Sequence, residues 1–129
     1  MINAVNTHGG FMLTVHSLEQ ANQLMPYVQG ITEKAAKAVL VLAQERDLFE
    51  MGDAGYEDCV ARIQEVIDSW VEQVDEVGLK PCGLWGVDFD KGDGYYSWKY
   101  PEPSLEYCRQ DDGDSGSGKR ELIQPEIVH

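Results

Sequence analysis

Basic residues are few in this chain: 10 Lys and Arg stand against 23 Asp and Glu, for a net charge of −13. A protein that grips nucleic acid needs a basic face for phosphate contacts, and docking on an anionic bilayer needs the same. Both partner classes are therefore excluded. Long apolar runs are also missing. Nothing approaches the roughly 18–20 residues that span a membrane, and Met1 to Gly10 lack the basic and apolar regions of a signal peptide. Cysteine is limited to three residues with no Cys-x-x-Cys pair, which points to reduced thiols in a cytoplasm rather than a disulfide framework. Catalytic signatures are missing too. There is no G-x-S-x-G elbow, no Glu-x-x-His pair within the helical segments for a di-iron bundle, and no cysteine with a base beside it. His8, His16 and His129 sit near the ends, outside any Cys/His ligand spacing.

What is present is pattern. Residues 1–16 read as a loose lead-in, with an extended piece at Phe11–Val15. Ser17 then has the character of an N-cap, with Gln20 three residues on to complete a capping box. Leu24, Val28, Ile31, Ala35, Val39 and Leu42 follow at helical spacing and predict a helix from about Leu18 to about Phe49. Pro26 predicts a kink or break in it, with the part before the proline turning away from the rest. Gly52, Asp53 and Gly55 make a turn. Tyr56, Val60, Ile63, Ile67, Trp70, Val74 and Val77 then form a 4-3 seam that predicts a second, antiparallel helix. Gly78 supplies its left-handed cap, and Pro81 stops continuation. Around Ala35–Ala43 the apolar surface of the first helix is wider than one seam. The sheet or a second copy of the chain must cover the rest, and the alanines there permit close approach in a four-helix dimer.

From Leu84 the period becomes two. Trp85, Val87 and Phe89 point one way, the loop Asp90–Gly94 turns, and Tyr96, Trp98 and Tyr100 follow on the same aromatic face. Leu105–Arg109 supply a third strand. Such a face serves either as core packing or as a binding platform. Residues 110–129 read as a flexible acidic and Gly/Ser-rich tail, around a single domain at 17–109.

Two motifs invite chemistry. Gly113–Lys119 fits a phosphate loop up to its last position, where Arg120 stands in place of the Ser or Thr that holds magnesium. No buried strand precedes it and no long helix follows, so nucleotide binding is rejected. The loop starting at Asp88 resembles the opening of a calcium loop, but Asp93 sits where glycine is needed and Lys99 where a bidentate Glu is needed.

The segment Ser17-Leu-Glu-Gln-Ala-Asn22-Gln-Leu-Met-Pro26-Tyr-Val28 resembles the E-A-N-x-L-L-P-x-V opening of the bacterial domain-of-unknown-function family 2203. Gly86-Val-Asp88-Phe and Tyr96-Ser-Trp98-Lys99-Tyr-Pro-Glu102-Pro103-Ser-Leu-Glu-Tyr107 resemble its later signature. The resemblance spans residues 17 to about 120 and implies a helical hairpin with a small sheet, with Pro26 as a family feature. It implies no function. Relatives tend to carry Trp-His after the tyrosine, where this chain has Cys108 and Arg109, and Arg109 favours an anion over a cation.

The expectation is thus an α+β fold: an antiparallel two-helix hairpin, kinked at Pro26, on a three-stranded antiparallel sheet. The function expected first is a cytoplasmic interaction or scaffold module that self-associates as a homodimer through its helices. The alternative is a divalent-metal or small-ligand binder that uses acidic residues near the sheet. The site candidates are Asp88, Glu102 and Arg109, against a structural alternative in which Asp88 caps the hairpin turn and Glu102 pairs with Lys99 or Arg109. No catalytic residue, metal ligand or cofactor is assigned, and the reading leans away from an enzyme.

Overall fold

Ser17 starts the first helix as its hydroxyl suggests, accepting the Gln20 N–H at 3.1 Å. Gln20 Oε1 reaches back to the His16 N–H, one residue before the position a capping box uses. The structure is a computed structural model and describes residues 12–110 and 119–124. Most of the lead-in, the Gly113–Gly118 part of the phosphate-loop-like string and the last five residues lie outside the described residues.

Helix α1 spans Leu18–Arg46 and α2 spans Ala54–Glu76. They are followed by β1 (Lys80–Pro81), β2 (Gly86–Asp90), β3 (Gly94–Lys99), β4 (Tyr107–Gln110) and β5 (Arg120–Leu122). The strands form one antiparallel sheet in the order β1-β2-β3-β4-β5. The α+β architecture stands, but the sheet has five strands rather than three. The added strands are short. One contains a proline at the sheet edge, where no ladder N–H is needed, and the other lies in the segment read as tail. Neither is long enough to show an alternating pattern.

No break occurs at Pro26, because α1 runs through it. Ala21, Met25 and Val28 are all buried and belong to one core cluster. An interior proline costs a helix about 3 kcal/mol, while each buried Met or Val returns about 1.5–3 kcal/mol. Continuity therefore wins. The unequal helix lengths are reconciled differently from the sequence expectation. Trp70 Nε1 donates to Thr32 Oγ1 at 2.8 Å across the hairpin, which sets these two positions level. Met25 is then level with Val77, at the end of α2. The first turns of α1 extend beyond α2 and are covered by the sheet.

The α2 seam also shifts toward the hairpin tip. Cys59 is buried there while Val60 is exposed. At its other end α2 closes in a Schellman motif: Leu79 N–H donates to Val74 C=O at 3.2 Å, Gly78 N–H to Asp75 C=O at 2.9 Å, and Gly78 has φ +85°.

The aromatic face is core. Val87 pairs with Trp98 and Phe89 with Tyr96 across β2 and β3, and Val87, Phe89 and Trp98 are buried with Trp70 and Val74. Trp85 is not part of β2. It occupies the preceding turn with φ +65°, and its ring meets Trp70 edge-on at 5.1 Å. The lead-in contributes as well. Leu13 N–H donates to Gly78 C=O and Val15 N–H to Asp90 C=O, both at 2.8 Å. A parallel bridge joins Thr14 to Asp90. Among the described residues no helix is long and apolar enough to cross a membrane.

Candidate functional site

Antiparallel register determines which residues share the second face of the sheet. Asp88 lies opposite Ser97, Tyr95 opposite Arg109, and Arg109 opposite Arg120. Cross-strand partners project to the same side, so β2, β3, β4 and β5 assemble a polar row on the face away from Val87, Phe89 and Trp98.

Two ion pairs organise that row. Asp88 and Arg109 form a direct salt bridge, with relative exposures of 1% and 4% for the two residues. Arg120 holds Glu102 through its two terminal guanidinium nitrogens, at 2.9 and 2.8 Å, and its Nε donates to Ser97 Oγ at 3.0 Å. The Lys99 backbone N–H also donates to Glu102, at 2.9 Å. Aromatic rings back the guanidinium planes, with Arg109 4.7 Å from the Tyr95 ring centre and Arg120 4.2 Å from that of Tyr107.

All three residues singled out in the sequence are thus brought into one region, with ion-pair partners other than those the structural alternative named. Asp88 does not cap the hairpin turn. Asp90 does, accepting the Gly92 N–H at 2.8 Å. Glu102 pairs with Arg120, and its bond to Lys99 comes from the backbone rather than the ammonium group. Each candidate carboxylate is therefore occupied by an arginine. Arg120, Ser97, Lys99 and Cys82 were not singled out as site residues. The available signal was two adjacent cations, Lys119 and Arg120, in an otherwise acidic segment.

A cavity of about 310 Å³ opens on this network, lined by Cys82, Ser97, Lys99, Arg109 and Arg120 with Gly83, Gly86 and Trp98. Among the described residues three cations and no carboxylate line it. Arg109 Nε and Asp88 Oδ1 are buried without a hydrogen-bond partner among the described residues, although buried polar atoms are almost always paired. Gly86 is required for the cavity wall, since a Cβ there would sit 2.2 Å from the Cys82 carbonyl oxygen. A wider cleft of about 860 Å³ lies beside Ser17, Leu105 and Ile123. It is lined by Glu19 and Glu106 and by neither of the unpaired groups.

Burial, followed by the Asp88 carboxylate, pushes the Cys82 thiol above its ordinary range. Cys82 is therefore a neutral thiol at pH 7, and Arg109 contacts its sulfur at 3.9 Å. Burial opposes ionisation of Glu102, but the Arg120 hydrogen bonds and the Lys99 N–H outweigh it and hold the carboxyl below its usual range. Burial would also weaken protonation of Arg109, and the bond to Asp88 more than compensates. The arrangement is a fixed set of charged donors around a small cavity. Among the described residues no three His, Cys, Asp or Glu side chains gather as a metal cluster.

A family model described as "Uncharacterized conserved protein (DUF2203)" matches residues 14–121, which cover α1 through most of β5. No curated protein and no solved structure matches the chain.

Proposed function

The chain belongs to the DUF2203 family of uncharacterized conserved proteins, and we propose that it binds a small anion, a carboxylate or phosphate, in the cavity beside Arg109. One observation carries this reading: a chain of net charge −13 lines a small cavity with Lys99, Arg109 and Arg120 and, among the described residues, with no acid. The unpaired Arg109 Nε supports it, because a buried guanidinium donor without a partner is costly unless something accepts from it. Guanidinium forks match the planar or tetrahedral oxygens of such ligands. The same geometry disfavours a cation bound by Asp88 and Glu102, since removing either acid from its arginine would strand a positive charge.

The test is a thermal-shift titration with inorganic phosphate and with acetate, at constant ionic strength set by chloride. Saturable stabilisation is expected, reaching about 2.7 kcal/mol at a hundred times the dissociation constant. It should disappear in Lys99→Ala combined with Arg120→Gln. No shift with either anion, or an equal shift in the variant, refutes the reading.

A second reading, self-association through the helices, is favoured by a separate observation. Leu40, Val41, Leu48, Phe49, Met51 and Val60 are all exposed around the hairpin tip. The core cluster beneath the sheet ends at Ala35 on α1 and includes only Val66 and later residues of α2. Beyond that line, among the described residues, the two helices cover only each other. Size-exclusion chromatography with light scattering tests it, and a mass that stays at 14.4 kDa at every concentration refutes it.

A further inference from the structure

The outer face of α1 carries a stripe with an internal symmetry. Lys34, Lys37, Val41 and Glu45 recur at spacings of three, four and four residues, so they lie on one side of the helix. Val41 is 54% exposed and its neighbour Leu40 is 58% exposed. The groups bonded to these charges lie within α1: Lys37 reaches Glu33 at 2.8 Å. Among the described residues no ion pair joins α1 to α2.

We propose that a second copy of the chain covers this stripe, with the two α1 helices antiparallel about a two-fold axis at Val41. An axis at that residue sets position 37 of one copy level with position 45 of the other. Lys37 then meets Glu45 of its twin, and by symmetry the pair forms twice. Val41 fills the centre between these pairs, the order of apolar middle and charged flank that helix interfaces use.

The overall charge distribution selects α1 for this contact. α2 carries Glu57, Asp58, Glu65, Asp68, Glu72, Asp75 and Glu76 against Arg62 alone. Two α2 helices would repel each other. α1 carries three acids, Glu19, Glu33 and Glu45, and three bases, Lys34, Lys37 and Arg46. It is the helix that can meet its own copy without a net like-charge cost, and the pairing keeps both acidic α2 helices outside. A partner protein of other composition would have no reason to match the Lys37–Val41–Glu45 order in reverse.

This placement rests on the self-association reading, and the experiment separates the two. Sedimentation equilibrium of the full chain should give twice the chain mass. Val41→Glu should leave the circular dichroism spectrum unchanged, since the side chain is exposed, and give a monomer. Lys37→Glu and Glu45→Lys should each raise the dimer dissociation constant about tenfold or more, and the two together should restore it. A monomeric wild type overturns both self-association and its placement. A dimer indifferent to Val41→Glu and to the charge reversals leaves self-association standing and overturns the placement. Weakening by Val41→Glu with no rescue in the double reversal overturns the register.

Discussion

Replacing Asp88 by Asn is the sharpest test of the polar side of the sheet. The change keeps the side chain's shape and removes its charge, leaving Arg109 buried with a side-chain exposure of 3%. The amide oxygen can still accept from the guanidinium, but as a neutral acceptor it does not balance the charge. Breaking one partner of a buried ion pair typically costs about 3–5 kcal/mol. A domain of this size is stable by about 5–15 kcal/mol, so the loss is a large share of the total. It corresponds to a fall in melting temperature of roughly 10–20 °C. Arg109→Met added to Asp88→Asn removes the stranded charge, and the pair of changes should return most of the loss, to within about 1–2 kcal/mol of wild type. Urea denaturation of the four proteins of the cycle, in a buffer free of phosphate and carboxylates, measures the coupling. A cost below about 1 kcal/mol for Asp88→Asn, or a double variant no better than the single one, would refute the argument that the two charges hold each other in the protein.

Thr32→Val removes the acceptor for the buried Trp70 N–H and should cost about 1–3 kcal/mol in urea denaturation, more than the nearly isosteric change alone would. Glu102 has its carboxyl depressed in the fold, so its contribution to stability is complete above the unfolded value of about 4.5 and is lost as pH falls below that through the folded value. Glu102→Gln should therefore flatten the melting temperature profile below about pH 4.5, while a profile there as steep as the wild type's would contradict the assignment.

The helical hairpin was legible because Val28, Ala35, Trp70 and Val74 recur at helical spacing over long segments, and burial follows that spacing. Gly78 was legible for the same kind of reason, since a glycine after a periodic run followed by Pro81 leaves few alternatives. Thr32 was not. A hydroxyl on the apolar stripe interrupts a hydrophobic pattern, and only the indole N–H opposite makes it a core residue. Asp88 and Arg109 were visible as candidates through the family resemblance, but their pairing depends on β3 passing between them, which needs the register of three strands. β5 left no periodic trace because its position comes from backbone pairing with β4 and from one side chain, Arg120, that grips Glu102.

The lead-in segment has a consequence for how the chain assembles. Among the described residues every other backbone pairing is between neighbours in sequence: the helices bond within themselves, and each strand pairs with the next. Contacts of that kind close short loops and form early and quickly. The bonds from Leu13 to Gly78 and from Val15 to Asp90 are different. They close the hairpin and the first strands into a single long loop, so their entropy cost is met only once both halves are in place. The segment works as a clasp fastened late. Its loss should speed unfolding more than it slows folding, and local opening of the molecule should begin at that seam.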